Sequence, residues 1–135
     1  MSNYIYAYIT SLLTMGFLDA TWLGFIAPKF YKKHIGFIMA SRPNWYAAVA
    51  FYLVFILGAT LFVVHPGWKN PNSLTKVALL GALFGFVTYA TYDLTNQATL
   101  KNWPRIVTMI DLLWGTVLTS AVCTLSVELL KAFVK

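Results

Sequence analysis

The sequence predicts an all-α protein, an integral membrane four-helix bundle, and three observations carry that expectation. The chain is 59% hydrophobic and only 10% charged over 135 residues, with a mean hydropathy of +0.69. Globular proteins carry about 25% charged residues, so this is the composition of a chain that lives in lipid. Four stretches reach the roughly 20 predominantly apolar residues that a spanning helix needs. Prolines and tryptophans mark the gaps between them.

The first span is expected at about 4–26, closed by Pro28. Its start, MSNYIYAY, places no Lys or Arg ahead of the apolar run. That is unlike a cleaved secretory signal, so the segment is read as a retained helix. The second span, about 45–64, follows Pro43 and precedes a stretch bounded by Pro66 and Pro71. The third is expected at about 76–96 and the fourth at about 104–130, with Pro104 suited to a first turn. Trp45, Trp68 and Trp103 fall at span ends, where indoles anchor at headgroup level. The whole chain, 1–135, reads as one transmembrane domain with no room for a soluble module.

Charge sets the orientation. Loops one and three, on a side labelled B, carry Lys29, Lys32, Lys33, Arg42, Lys101 and Arg105. The opposite side, A, carries Lys69, Lys76, Lys131 and Lys135. The excess on B predicts that B faces the cytoplasm and that both termini lie outside. The net charge of +6 therefore belongs to loops that meet anionic headgroups, and nucleic acid is excluded as a partner. The first loop, KFYKKHIGFIMASRPN, reads either as a short amphipathic helix in the membrane plane or as a plain basic loop. The single Cys123 is read as a small buried hydrophobe, no Cys/His spacing indicates a zinc or haem site, and the sequence leaves any cofactor unknown.

The acids are the informative feature. There are four, and three sit inside otherwise apolar segments: Asp19 in SLLTMGFLDATWLGFIA, Asp93 in GALFGFVTYATYDLTN and Asp111 in IVTMIDLLWGTVLTSAV. An acid at membrane depth costs about 2.5–3.5 kcal/mol on insertion scales, so it faces a bundle interior, a partner or a cavity. Because chain direction alternates between spans, all three fall in the B-side half at similar depth. Helical spacing gives each acid aromatic or polar neighbours: Trp22 for Asp19, Tyr89 and Asn96 for Asp93, Thr108 and Trp114 for Asp111. With Tyr92, these residues are the expected walls of a pocket whose charge or proton is carried by Asp19, Asp93 and Asp111. Gly81 and Gly85 form a small-residue stripe on the Asp93 face, suited to close helix packing within or between chains.

The strings FLDATWLGFIAPKFY, PNWYAAVAFYLVF, YATYDLTNQATLKNWP and DLLWG, in this order, resemble a family of predicted bacterial membrane proteins known as a domain of unknown function. The resemblance covers nearly the whole chain, and TYDLTN-x-ATLK-x-WP is its most specific part. It implies a four-helix protein of a bacterial cytoplasmic membrane. It implies no activity, substrate or site, although Asp19, Trp22, Tyr92, Asp93, Asn96, Lys101, Trp103, Asp111 and Trp114 all fit the pattern.

Three functions fit the acids. In the first, a carboxylate–aromatic pocket binds, or transports with proton coupling, a small amphipathic or cationic molecule, since clustered acids out of water share protons that a cation can displace. In the second, polar bonds only fix helix assembly in a scaffold or accessory subunit of a larger membrane complex, with Asp93 paired to Lys101. In the third, two aspartates act as acid and base in a lipid- or isoprenoid-modifying enzyme. The chain lacks a His cluster for di-iron chemistry and a DDxxD motif for diphosphate, and His34 and His65 lie at opposite faces. The partners this pattern admits are the bilayer, a small hydrophobic or cationic ligand, and a second copy or a larger complex.

Overall fold

The computed structural model describes residues 2–70 and 73–134. Helices dominate: α1 (Ser2–Phe25), α2 (Ala27–Ile35), α3 (Trp45–Lys69), α4 (Leu74–Thr99) and α5 (Arg105–Phe133). Helices α3, α4 and α5 are each long and apolar enough to cross a bilayer, and α1 with α2 passes the same test as a bent pair. The chain thus has three such spans, or up to four when that pair counts as one.

The break between α1 and α2 is a bend of 57°. Pro28 lies in the first turn of α2, where its missing N–H is not needed. Hydrogen bonds carry the backbone through the bend, from the Ile26 N–H to the Trp22 carbonyl at 3.0 Å and from the Phe30 N–H to the Ile26 carbonyl at 3.1 Å. Pro28 therefore turns the chain without ending helix, and the basic segment through Ile35 is helical rather than loop.

Pro66 also behaves differently from the sequence expectation. Helix α3 does not stop at Val64 but continues to Lys69 through a π-helical turn at Thr60–Val64. A proline inside a helix removes one hydrogen bond and crowds the carbonyl four residues earlier. The wider turn absorbs this, because the His65 N–H bonds to the carbonyl of Thr60, five residues back. Pro71 and Lys135 lie outside the described residues.

The remaining ends are set by local chemistry. Asn44 caps α3 by accepting the Ala47 N–H at 3.2 Å, and Ser73 caps α4 by accepting the Lys76 N–H at 3.3 Å. Asn102 adopts a positive φ of 62°, which asparagine tolerates better than most residues, and this turns the chain from α4 into α5. Pro104 stands at the cap of α5, one residue before its first turn.

Helix α5 is central, packing on α4 most extensively and on α1 next, while α1 also packs on α3. The α4–α5 seam is the closest. A Cβ on Gly81 would lie 3.0 Å from Cys123 Cβ and from the Thr119 carbonyl, and one on Gly85 would overlap the Gly115 carbonyl. The glycine stripe is therefore buried inside the chain and is not free to join two copies. Outward faces are apolar: Phe17 (76% exposed) on α1, Phe62 (69%) on α3 and Met109 (67%) on α5. Such a surface suits lipid.

Candidate functional site

Counting from one end of the bundle places the acids. Asp19 is six residues before Phe25, Asp93 six before Thr99 and Asp111 six after Arg105. At about 1.5 Å per residue, each is roughly 9 Å inside its helix end. Tyr52, seven residues after Trp45, reaches the same level on α3. Four helices bring one polar side chain each to a common depth. All three aspartates are buried.

Two of them are held by aromatic donors from other helices. The Tyr52 hydroxyl donates to Asp19 Oδ2, and the Trp114 indole N–H donates to Asp19 Oδ1 at 3.3 Å. The bend after α1 brings Tyr31 over the site, where its hydroxyl donates to Asp111 Oδ1 at 2.5 Å. Asp93 is different. It is 0% exposed, and neither carboxyl oxygen has a hydrogen-bond partner among the described residues. The group it faces is the carboxyl of Asp111.

In front of this cluster lies a cavity of about 510 Å³. Asp19 and Asp111 stand in its wall, with Trp22, Tyr31, Tyr52, Tyr89 and Trp114 around them. Trp22 stacks on Trp114 at 4.6 Å between ring centroids, 14° from parallel. Tyr89 packs flat over α5 because position 115 is glycine; a Cβ there would strike the Tyr89 ring. Tyr92 also lines the cavity and meets Trp103 edge to face at 6.1 Å.

Charge balance is the chemical peculiarity of this place. Every described Lys and Arg is exposed, and the one ion pair among the described residues joins Lys131 to exposed Glu128 at 3.2 Å. Lys101 does not pair with Asp93. Tyrosine and indole donors partly satisfy carboxylates but do not cancel their charge, and an uncompensated buried charge costs several kcal/mol. A proton or a bound cation has to meet it.

The residues expected from sequence separate into two groups. Asp19, Asp111, Trp22, Tyr89, Tyr92 and Trp114 line one cavity, while Asp93 is buried outside its lining, next to the Asp111 carboxyl. Asn96 and Thr108 do not line it. Thr108 instead accepts the Trp103 indole N–H at 3.1 Å, which fixes the turn below α5, and Asn96 is half-buried one turn nearer the helix end. Tyr31 and Tyr52 were missing from the sequence reading. Tyr52 was accessible by the depth count that places the acids. Tyr31 was not, because its position depends on the bend at Ile26. The two histidines stay apart: His34 Nδ1 bonds the Phe30 carbonyl at 2.9 Å, while His65 stacks on Tyr4 at 3.6 Å.

Apolar spanning helices around a buried acidic cluster define a helical membrane protein. The chain belongs to the family described as "Predicted membrane protein (DUF2177)", which matches residues 4–128. No curated protein and no solved structure matches it.

Proposed function

We propose that the chain is a single four-helix transmembrane domain of a bacterial cytoplasmic membrane, with both termini outside, and that it binds a small amphipathic or cationic molecule and moves it in exchange for protons. The observation that carries this reading is the cavity of about 510 Å³ with Asp19 and Asp111 in its wall and every described basic side chain elsewhere on the surface. An entering cation supplies the charge the acids lack. The faces of Trp22, Tyr89 and Trp114 offer it further attraction of about 0.5–2 kcal/mol each. Asp93, packed against Asp111 and shielded from the cavity, is suited to hold the proton that the cation displaces.

The test is a titration of the purified protein with tetraphenylphosphonium, read by tryptophan fluorescence and by proton release into weakly buffered solution. Saturable binding with proton release is expected, both lost in the Asp19→Asn/Asp111→Asn double variant. Equal responses from native and variant protein would sink the proposal. In liposomes, an outward proton gradient is expected to drive uptake of the same cation.

One observation favours a second reading, a scaffold. The bonds Tyr52–Asp19, Trp114–Asp19 and Tyr31–Asp111 each cross from one helix to another, as a purely structural lock would. On that reading the double variant loses thermal stability while native protein binds no cation.

A further inference from the structure

The outside of the Trp22–Trp114 stack carries a second hollow of about 380 Å³. It lies between α1, α2 and α5, lined by Ile26, Phe30, Ile110, Leu113 and Val117 together with the two tryptophans. No hydroxyl, amide or charged side chain lines it. Ile110, Leu113, Trp114 and Val117 follow the three-and-four spacing of one helix face, which here is an outward one: Leu113 is 61% and Val117 53% exposed. Trp22 and Trp114 are the residues common to this groove and to the carboxylate cavity. Two stacked rings therefore stand between an acidic chamber and an apolar groove on the outward face.

We infer that the ligand is a single-chain amphiphile with an ammonium head, its head at Asp19 and Asp111 and its hydrocarbon chain lying past the Trp22–Trp114 stack in the outer groove. This rests on the cation-binding reading above and adds the substrate class and the side of entry. Charge fixes the head. A cation neutralises the inner chamber in place of protons, and an ammonium group brings N–H donors to the carboxylate lone pairs that Tyr31, Tyr52 and Trp114 leave open. Lining fixes the tail. From Ile110 to Val117 the groove follows α5 for about 10 Å, long enough for an alkyl chain and too uniformly apolar for a polar one. The partition also explains the tryptophan geometry. The Trp114 N–H points inward to Asp19 while its ring packs on Trp22, so these two rings form the boundary between the two spaces.

The experiment compares butylamine, octylamine and octanol on the full chain in phosphatidylcholine nanodiscs, each titrated against bound tetraphenylphosphonium. Octylamine is expected to displace the probe at lower concentration than butylamine, and octanol not at all. In Leu113→Trp, which fills the groove on an exposed face and leaves the packed interior alone, octylamine affinity is expected to fall about tenfold while butylamine affinity holds. Ile26→Ala, which widens the same groove, shifts preference toward dodecylamine. If Leu113→Trp and Ile26→Ala treat all three amines as the native protein does, the chain lies elsewhere and the inference fails, while cation binding stands. Displacement by octanol as strong as by octylamine overturns it too, because the groove is then an ordinary lipid contact. Failure of native protein to bind tetraphenylphosphonium or any amine removes the underlying reading and this one with it.

Discussion

The two ends of the bundle are built from the same helices and do opposite things. At the end holding the termini, α4 and α5 nearly touch backbone to backbone at Gly81 and Gly85, and small side chains such as Ala7, Ala59, Val64, Val77 and Cys123 close the interior. At the other end, tyrosines, tryptophans and aspartates replace them, and the helices surround a cavity. In lipid there is little hydrophobic drive between helices, so residue size and polar bonding decide whether they meet. Here the small residues bring the seam together, and the aromatic rings hold the other end open. Stability is expected to reside mainly in the closed end and ligand binding in the open one.

The strongest attack on that division is Gly85→Val. The added side chain meets the Gly115 carbonyl and Thr119, neither of which can rotate away, so the α4–α5 seam must part. Destabilisation on the order of 3 kcal/mol is expected, read by thermal or denaturant unfolding in detergent. Next is Leu118→Ala, between the two ends, where Leu118 packs with Met15, Phe55, Ile56 and Val122. A soluble core would lose 2–5 kcal/mol at such a site, but in lipid the transfer part largely vanishes. About 2 kcal/mol is expected. If either variant unfolds no earlier than native protein, the closed end is not where stability resides.

Tyr31→Phe probes the open end. It removes the donor to Asp111 and keeps the ring, so about 1 kcal/mol of stability is expected to go. The expected signature is functional: α2 loosens from the site, and cation exchange speeds up more than affinity falls. Stopped-flow fluorescence separates the two, and an unchanged off-rate would mean that α2 is held by something other than this bond.

How much of this could be read from sequence follows the same division. Helices and acid depth were legible because counting residues along a helix is counting ångströms. The glycine stripe was legible as a seam, though not its partner, since spacing on α4 says nothing about which neighbour presents Thr119 and Ser120. What escaped depends on rotation and bending. Thr108 and Asn96 share faces with acids yet serve the turn or stand aside, and Tyr31 arrives only through a bend of 57°. Pro66 looked like a helix end because a proline signals a lost hydrogen bond, while the π turn that accommodates it leaves no clear mark in the sequence.

The smallest expected effect bears on whether the closed end is dry. Ser11, Thr60 and Thr119 are buried hydroxyls without a partner among the described residues. They share a level, fourteen residues before Phe25, fifteen after Trp45 and fourteen after Arg105, which is about 12 Å beyond the aspartates. If no water reaches them, replacing them with groups of the same shape removes an unsatisfied polar atom and nothing else. Ser11→Ala/Thr60→Val/Thr119→Val is then expected to match native stability or exceed it by up to about 1 kcal/mol, with cation affinity unchanged. A triple variant that binds the cation normally but releases protons more slowly would mean that these hydroxyls hold a water chain. The closed end would then be the proton's route to the acids, and the contrast between the two ends would be one of size alone and no longer one of wet against dry.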